Sequence, residues 1–217
     1  MIALIDLDSI LYQAVYKVVS YYEIKDAIEK YGKESARTWM QEQVLNEGVN
    51  RCENRLLQIQ IYLQSIMIEE ITGYELFITT CENSFRKKVS PVYKANRKRN
   101  SYVWLLRANY QMTENAFYSD TLEADDLINI RAKELGKDNC IVVSIDKDLK
   151  QIGGYFWSYY RQKEKDSQGN VITQISDLGI ELPVMEYKQR EIEYITNEQA
   201  NKHFWKQMLM GDTSDNI

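Results

Sequence analysis

Carboxylates occur in four tight groups spread along the chain: Asp6; Glu123, Asp125 and Asp126; Asp146 and Asp148; and Asp212 with Asp215. Two of the groups follow hydrophobic, strand-like runs, Ile2–Ile5 before Asp6 and Ile141–Ile145 before Asp146. In an open parallel sheet ligands bind beyond the carboxyl ends of the strands, so acids from separate segments would meet at one edge. Two like unit charges at ~4 Å repel by about 1 kcal/mol in water and about 4 kcal/mol at an effective dielectric of 20. Eight such groups cannot stay ionised together without cations, so the expected chemistry is a divalent-metal site for two ions. Oxygen donors suit Mg²⁺ or Mn²⁺. Two such ions ~3.5–4 Å apart would activate a water and stabilise a displaced oxygen. His203 is the single histidine, and Cys52, Cys81 and Cys140 make no CxxC pattern. This disfavours histidine-based acid–base chemistry and zinc.

A second group carries the opposite charge. Arg86, Lys87, Lys88, Lys94, Arg97, Lys98 and Arg99 interleave with Phe85 and Tyr93. A basic run is ordinarily a solvated face, but this one stands in a chain of net charge −5. Opposed basic and acidic patches are what an anionic polymer bound beside metal ions requires. Tyr93 is expected either to stack on a base or to fill the core, and Phe85 to lie in the core.

The elements that must position these groups read as an alternation of strands and helices. Residues 1–6 form a buried strand followed by an amphipathic start at Ile10–Val19, and residues 23–72 are mostly helical in pattern. Leu56, Ile59, Leu63, Ile66 and Met67 recur at helical spacing on a core face, opposite Glu53, Arg55, Gln60 and Gln64. Gly73 is expected to end this helix. Tyr74–Ile78 and residues 140–145 read as strands, and Thr121–Leu135 as a helix with Glu123, Asp125 and Asp126 in its first turn and Asp120 as its cap. Ser158–Ser176 reads as a hairpin around Asp166–Asn170, and Asn197–Leu209 as a helix in which His203 is structural. On an extended segment Asp8 would face the same side as Asp6.

With 217 residues, 44% of them apolar, and only two prolines, one α/β domain spanning 1–217 is expected. Odd cysteine usage, the absence of a signal-peptide pattern and the lack of a long apolar run point to a reduced, cytoplasmic protein with no membrane contact.

The ordered set Phe85-Arg86, Tyr93-Lys-Ala-Asn-Arg97, Glu123-Ala-Asp-Asp126, Ser144-Ile-Asp-Lys-Asp148 and Gly211-Asp-Thr-Ser-Asp-Asn-Ile217 resembles the flap endonuclease/5′-nuclease superfamily. It looks most like the 5′-3′ exonucleases of tailed phages, with anchors from Asp6 to Ile217. The resemblance implies a PIN-like α/β domain with a mostly parallel central sheet flanked by helices. It implies Mg²⁺- or Mn²⁺-dependent cleavage of DNA, or of RNA–DNA hybrids, at ends or flaps in phage DNA replication or degradation, within the host cytoplasm. In that family one ion sits near the residues matching Asp6, Asp125, Asp126 and Asp146, with Glu123 assisting, and the second near those matching Asp148, Asp212 and Asp215. Lys94 and Arg97 inherit contact with the scissile phosphate, supported by Arg86, with Tyr93, Lys98 and Arg99 toward the substrate. The sequence departs from the family pattern in three ways: Ile78–Ser84 lacks an aspartate, with Glu82 as the nearest substitute; the segment from Arg97 to Glu123 is short for a closed arch; and a helix–three-turn–helix DNA-binding module would begin where this sequence stops, so such a module, or a replication protein, is an expected partner.

Two rival readings stand beside this one. Ile5-Asp-Leu-Asp8-Ser9 and Gly211–Asp215 also resemble motifs of haloacid dehalogenase-type phosphatases, with Asp6 as nucleophile and Asp8 as general acid. The chain could alternatively be a nucleic-acid-binding subunit without turnover.

Overall fold

Strand β1 (Ile2–Asp6) is apolar on both faces until its last residue, as a strand at the centre of a covered parallel sheet must be. It pairs in parallel with β2 (Gly73–Phe77) on one side and β4 (Cys140–Val143) on the other. β3 (Ala116–Phe117) extends the sheet beyond β2, and β5 (Gly154–Trp157) beyond β4. β10 (Glu193–Ile195), antiparallel, closes a six-stranded order β10-β5-β4-β1-β2-β3. The structure, a computed structural model, describes residues 1–15, 18, 21–66, 71–80, 83–95, 101–163, 166–168, 170, 173–175, 181–183, 185–189 and 191–210.

Alternation along the strands divides the core into two. Ala3, Ile5, Ile141 and Val143 face α1 (Leu7–Ala14), α3 (Lys33–Ile66) and α5 (Ser101–Tyr110), where Leu11, Ile59, Leu63, Val103 and Leu106 complete the packing. Leu4, Phe77 and Val142 face the other way, onto α6 (Ala124–Leu135) and α7 (Asn197–Met210) through Ala124, Ile128, Ala132 and Ala200. The result is a mostly parallel sheet with helices on both faces, the α/β architecture expected from the sequence. Among the described residues no helix is long and apolar enough to cross a membrane.

Several local expectations are corrected. The helical stretch 23–72 is two helices, α2 (Tyr21–Tyr31) and α3, broken at Gly32, whose φ of +79° is costly for residues with a Cβ. Gly73 opens β2 beside Ile2 rather than ending a helix. Arg55 is buried, its guanidinium 4.6 Å from the Tyr159 ring centroid, whereas Ile66 is exposed. Phe85 is also exposed, at the start of the short α4 (Phe85–Val89). The expected hairpin over 158–176 does not form as such: β6 (Tyr159–Lys163) pairs with β9 (Met185–Gln189), and β7 (Thr173–Ile175) pairs with β8 (Glu181–Pro183). The turn chemistry at Asp166 is real, since its carboxylate accepts from the Gln168 and Asn170 amides at 2.9 Å. Strand choice, however, was decided by partners further along the chain.

Candidate functional site

The strands β1, β2 and β4 run in parallel, so their carboxyl ends share one edge. Asp6 is the last residue of β1, Thr79 follows β2, and Ser144 and Asp146 follow β4. The N-terminus of α6 arrives at the same edge, tied down by the Ala124 amide donating to Thr79 Oγ1 at 3.0 Å. The helix begins at Ala124, so Glu123 is its cap residue in place of Asp120. The Glu123 amide donates to Asp126 Oδ2 at 3.1 Å, one arm of a capping box.

These elements enclose an open cavity of about 290 Å³ whose lining includes Asp6, Asp8, Glu123, Asp125 and Asp146, with Lys87, Lys94 and Arg107. Three separate chain segments thus bring carboxylates to one place. Asp6 Oδ2 accepts from the Ser144 hydroxyl at 2.7 Å, and Ser144 Oγ in turn accepts from the Asp146 amide at 2.9 Å. Burial first, then the neighbouring charges of Asp8, Asp146 and Asp125, push the Asp6 carboxyl up to about 7 despite the Ser144 bond. Asp125 is raised to about 6, by burial of its inner side and by Asp126 and Glu123, against the pull of Arg86.

The remaining acids are held by internal cations. Arg86 grips Asp126 through two bonds of 2.6 and 2.7 Å and reaches Asp125 at 3.4 Å. Lys94 Nζ lies 2.6 Å from Glu123 Oε2, which also accepts from the Tyr93 hydroxyl at 3.1 Å. Burial alone would raise Glu123; Lys94, then Arg86 and Tyr93, more than offset it, and its carboxyl sits below the ordinary range. Lys94 itself has φ +53°, a left-handed conformation that costs a residue with a Cβ roughly 1–2 kcal/mol. Such strain is concentrated at functional sites.

Of the residues singled out from sequence, Asp6, Glu123, Asp125, Asp146 and Lys94 meet at the cavity. Asp126 and Arg86 stand beside it as a pair. Tyr93 is only 4% exposed, the core-filling alternative of its two. Asp148 is not in the lining: its amide donates to Asp146 Oδ1 at 2.9 Å, and its carboxylate accepts from Gln207 of α7 at 2.9 Å. Arg97, Lys98, Arg99, Glu82, Asp212 and Asp215 lie outside the described residues. His203 is exposed on α7.

Asp8 stands on the first turn of α1, not on an extended segment, and still lines the cavity. Its Oδ1 accepts from Arg107 Nε at 3.0 Å and its Oδ2 from the Thr79 amide at 3.2 Å. Arg107, Thr79 and Gln207 were not legible as site residues, since each lies in ordinary helix or loop sequence with no charge cluster to mark it; Ser144 opens the Ser144–Asp148 motif, but its own role toward Asp6 was not.

The donor set fits hard divalent ions in kind, being carboxylate oxygens crowded enough that burial and neighbouring charge raise Asp6 and Asp125. Among the described residues no three acidic side chains stand close enough to cage one ion. The nearest carboxylates are instead drawn to Arg86 and Lys94.

No family model matches the chain, and no curated protein matches it by sequence. Among solved structures, a crystal structure of the T5 D15 protein co-crystallised with metal ions is similar, with a TM-score of 0.51 and 13% identity over the whole of this chain and 68% of that one. The likeness is one of fold: an α/β domain with a mostly parallel central sheet flanked by helices.

Proposed function

We propose that this protein is a divalent-metal-dependent nuclease of the 5′-3′ exonuclease/flap endonuclease kind, hydrolysing phosphodiester bonds in DNA or RNA–DNA hybrids. The observation that carries the reading is the meeting of Asp6, Glu123, Asp125 and Asp146, from three chain segments, in one cavity with Lys94. The fold it shares with a protein co-crystallised with metal ions supports it. Asp6, Glu123, Asp125, Asp126 and Asp146 would hold the first Mg²⁺ or Mn²⁺, and Asp148, Asp212 and Asp215 the second. Bound there, the ions would supply an activated water and stabilise the leaving oxygen.

The chain's own groups do the rest. Ser144 pins one oxygen of Asp6 and leaves the other for a ligand. Lys94 lines the same cavity and, once parted from Glu123, offers its ammonium to the phosphate, with Arg97 as second donor. Arg86 neutralises Asp125 and Asp126 and would yield them to an incoming cation. Tyr93 orients Glu123 from the core, while Lys98 and Arg99 extend the basic track for the backbone. The setting is DNA replication or degradation in a phage-infected cytoplasm, with a further DNA-binding module or a replication protein as partner.

The test is cation titration on end-labelled flap and nicked duplexes. Cleavage that needs Mg²⁺ or Mn²⁺ and falls by at least about a hundredfold in Asp146→Asn is expected. Cation-dependent binding with no cleavage under any condition would make the protein a binding subunit. Turnover of small phosphomonoesters that collapses in Asp8→Asn would make it a phosphatase, although Arg107 and Thr79 already occupy both Asp8 oxygens.

A further inference from the structure

Among the described residues, Arg107 is the one cavity-lining cation outside the basic run 86–99, contributed by α5. It is 7% exposed, and its placement is fixed from three sides. Nε donates to Asp8 Oδ1 at 3.0 Å, and the guanidinium carbon lies 5.1 Å from the Trp104 ring centroid and 5.8 Å from that of Tyr12. Asp8 is immobilised in turn by the Thr79 amide. Among the described residues the two terminal nitrogens of Arg107 make no hydrogen bond, while the residue faces a cavity that also presents Lys87 and Lys94. A buried guanidinium that uses one of its three nitrogens retains a fork of donors, and that fork matches the paired oxygens of a phosphate. A guanidinium needed only to neutralise Asp8 would gain more by turning the fork onto the carboxylate.

We propose that Arg107 is an anion-binding residue of this cavity, taking the non-bridging oxygens of a nucleic-acid phosphate on its two terminal nitrogens while Asp8 anchors its Nε. This rests on the nuclease reading and adds a phosphate contact from α5, made by a residue whose side chain is already ordered. Because the anchor is prearranged, little side-chain entropy is lost on binding.

The experiment is fluorescence anisotropy with a short single-stranded DNA, as 5′-hydroxyl and 5′-phosphate forms, with Ca²⁺ in place of Mg²⁺ and over a series of salt concentrations. Arg107→Gln alone would strand Asp8, so the paired variant Asp8→Asn/Arg107→Gln keeps the contact neutral and folded, and thermal melting checks it. The paired variant is expected to bind about tenfold more weakly, with a salt slope shallower by about 0.7. Arg107→Lys keeps the charge but not the fork, so it is expected to hold the slope and lose affinity several-fold. Loss confined to the 5′-phosphate form identifies a terminal monoester, and loss with both forms an internal phosphodiester; either supports the assignment. Wild-type binding with affinity and slope unchanged in the paired variant overturns it and makes Arg107 a structural ion pair, leaving the nuclease reading intact. Failure of the wild-type protein to bind either DNA removes both.

Discussion

Lys94 concentrates the chemistry at the residue scale, because one side chain combines a strained backbone, an ion pair and a place in the cavity. Two substitutions separate these. Lys94→Ala and Lys94→Gly both delete the ammonium, but glycine adopts φ +53° without penalty. Lys94→Gly is therefore expected to be more stable than Lys94→Ala by about 1 kcal/mol in urea unfolding; equal stability would mean that the backbone relaxes freely. Both are expected to lower cleavage rate more than ground-state affinity, the mark of a contact that strengthens in the transition state. Arg86 has a different test. It neutralises Asp125 and Asp126, so an incoming cation competes with it. Arg86→Gln should bind Mn²⁺ several-fold more tightly by calorimetry, even where cleavage is impaired. Weaker Mn²⁺ binding would mean that Arg86 builds the carboxylate geometry rather than guarding it.

At the scale of elements, the site depends on how loops deliver helix ends and strand ends to one edge. The sharpest constraint is the Gly153–Gly154 pair that leads the 3-10 turn carrying Asp148 into β5, both with φ +79°. A Cβ on Gly154 would lie 2.4 Å from the Lys137 carbonyl oxygen, whereas one on Gly153 finds nothing nearer than 3.5 Å. Gly153→Ala should thus cost backbone strain alone, about 1–3 kcal/mol, because φ +79° with ψ 177° is a conformation nearly confined to glycine. Gly154→Ala adds a backbone collision and should cost roughly 3 kcal/mol or more. Chemical denaturation of the two variants measures the difference, and near-equal losses would mean that the Lys137 backbone yields. Gln207 links α7 to Asp148 across the same corner. This is how a helix late in the chain bears on a carboxylate that follows β4.

For the whole molecule, crowded carboxylates make stability depend on pH and on cations together. Asp6 and Asp125 are raised in the folded state to about 7 and about 6, above the ordinary 3.8. The native protein therefore holds more protons than the unfolded chain between about pH 4 and 7, and stability falls as pH rises through that window. Glu123 has the opposite sign, its contribution being lost only as pH falls through its lowered value, so pH 5.5 to 8 reports on the raised aspartates, with Asp8, which burial also pushes up against Arg107 and Thr79, adding in the same direction. In chelator, the melting temperature should be higher at pH 5.5 than at pH 8 by on the order of 5 °C. Mg²⁺ at pH 8 should recover most of the difference, since a ligand that binds only the folded state stabilises it. A flat or rising profile in chelator would mean that these carboxylates do not crowd one another.

Short-range chemistry was readable from the chain. The apolar runs of β1 and β4, the acids that end them and the acidic start of α6 are local patterns, and each landed at the sheet edge where parallel strands collect their loops. Element type follows from nearest neighbours and from periodicity. What the primary structure did not carry was which groups would be partners across space. That Arg107 anchors on Asp8, that Arg86 and Lys94 hold the carboxylates, that Arg55 is buried, and that β6 pairs with β9 all join positions far apart in the chain. Charge balance and strand pairing are settled only when distant segments share one low-dielectric space. A burial cost or an ion pair has no value until the fold sets its distance.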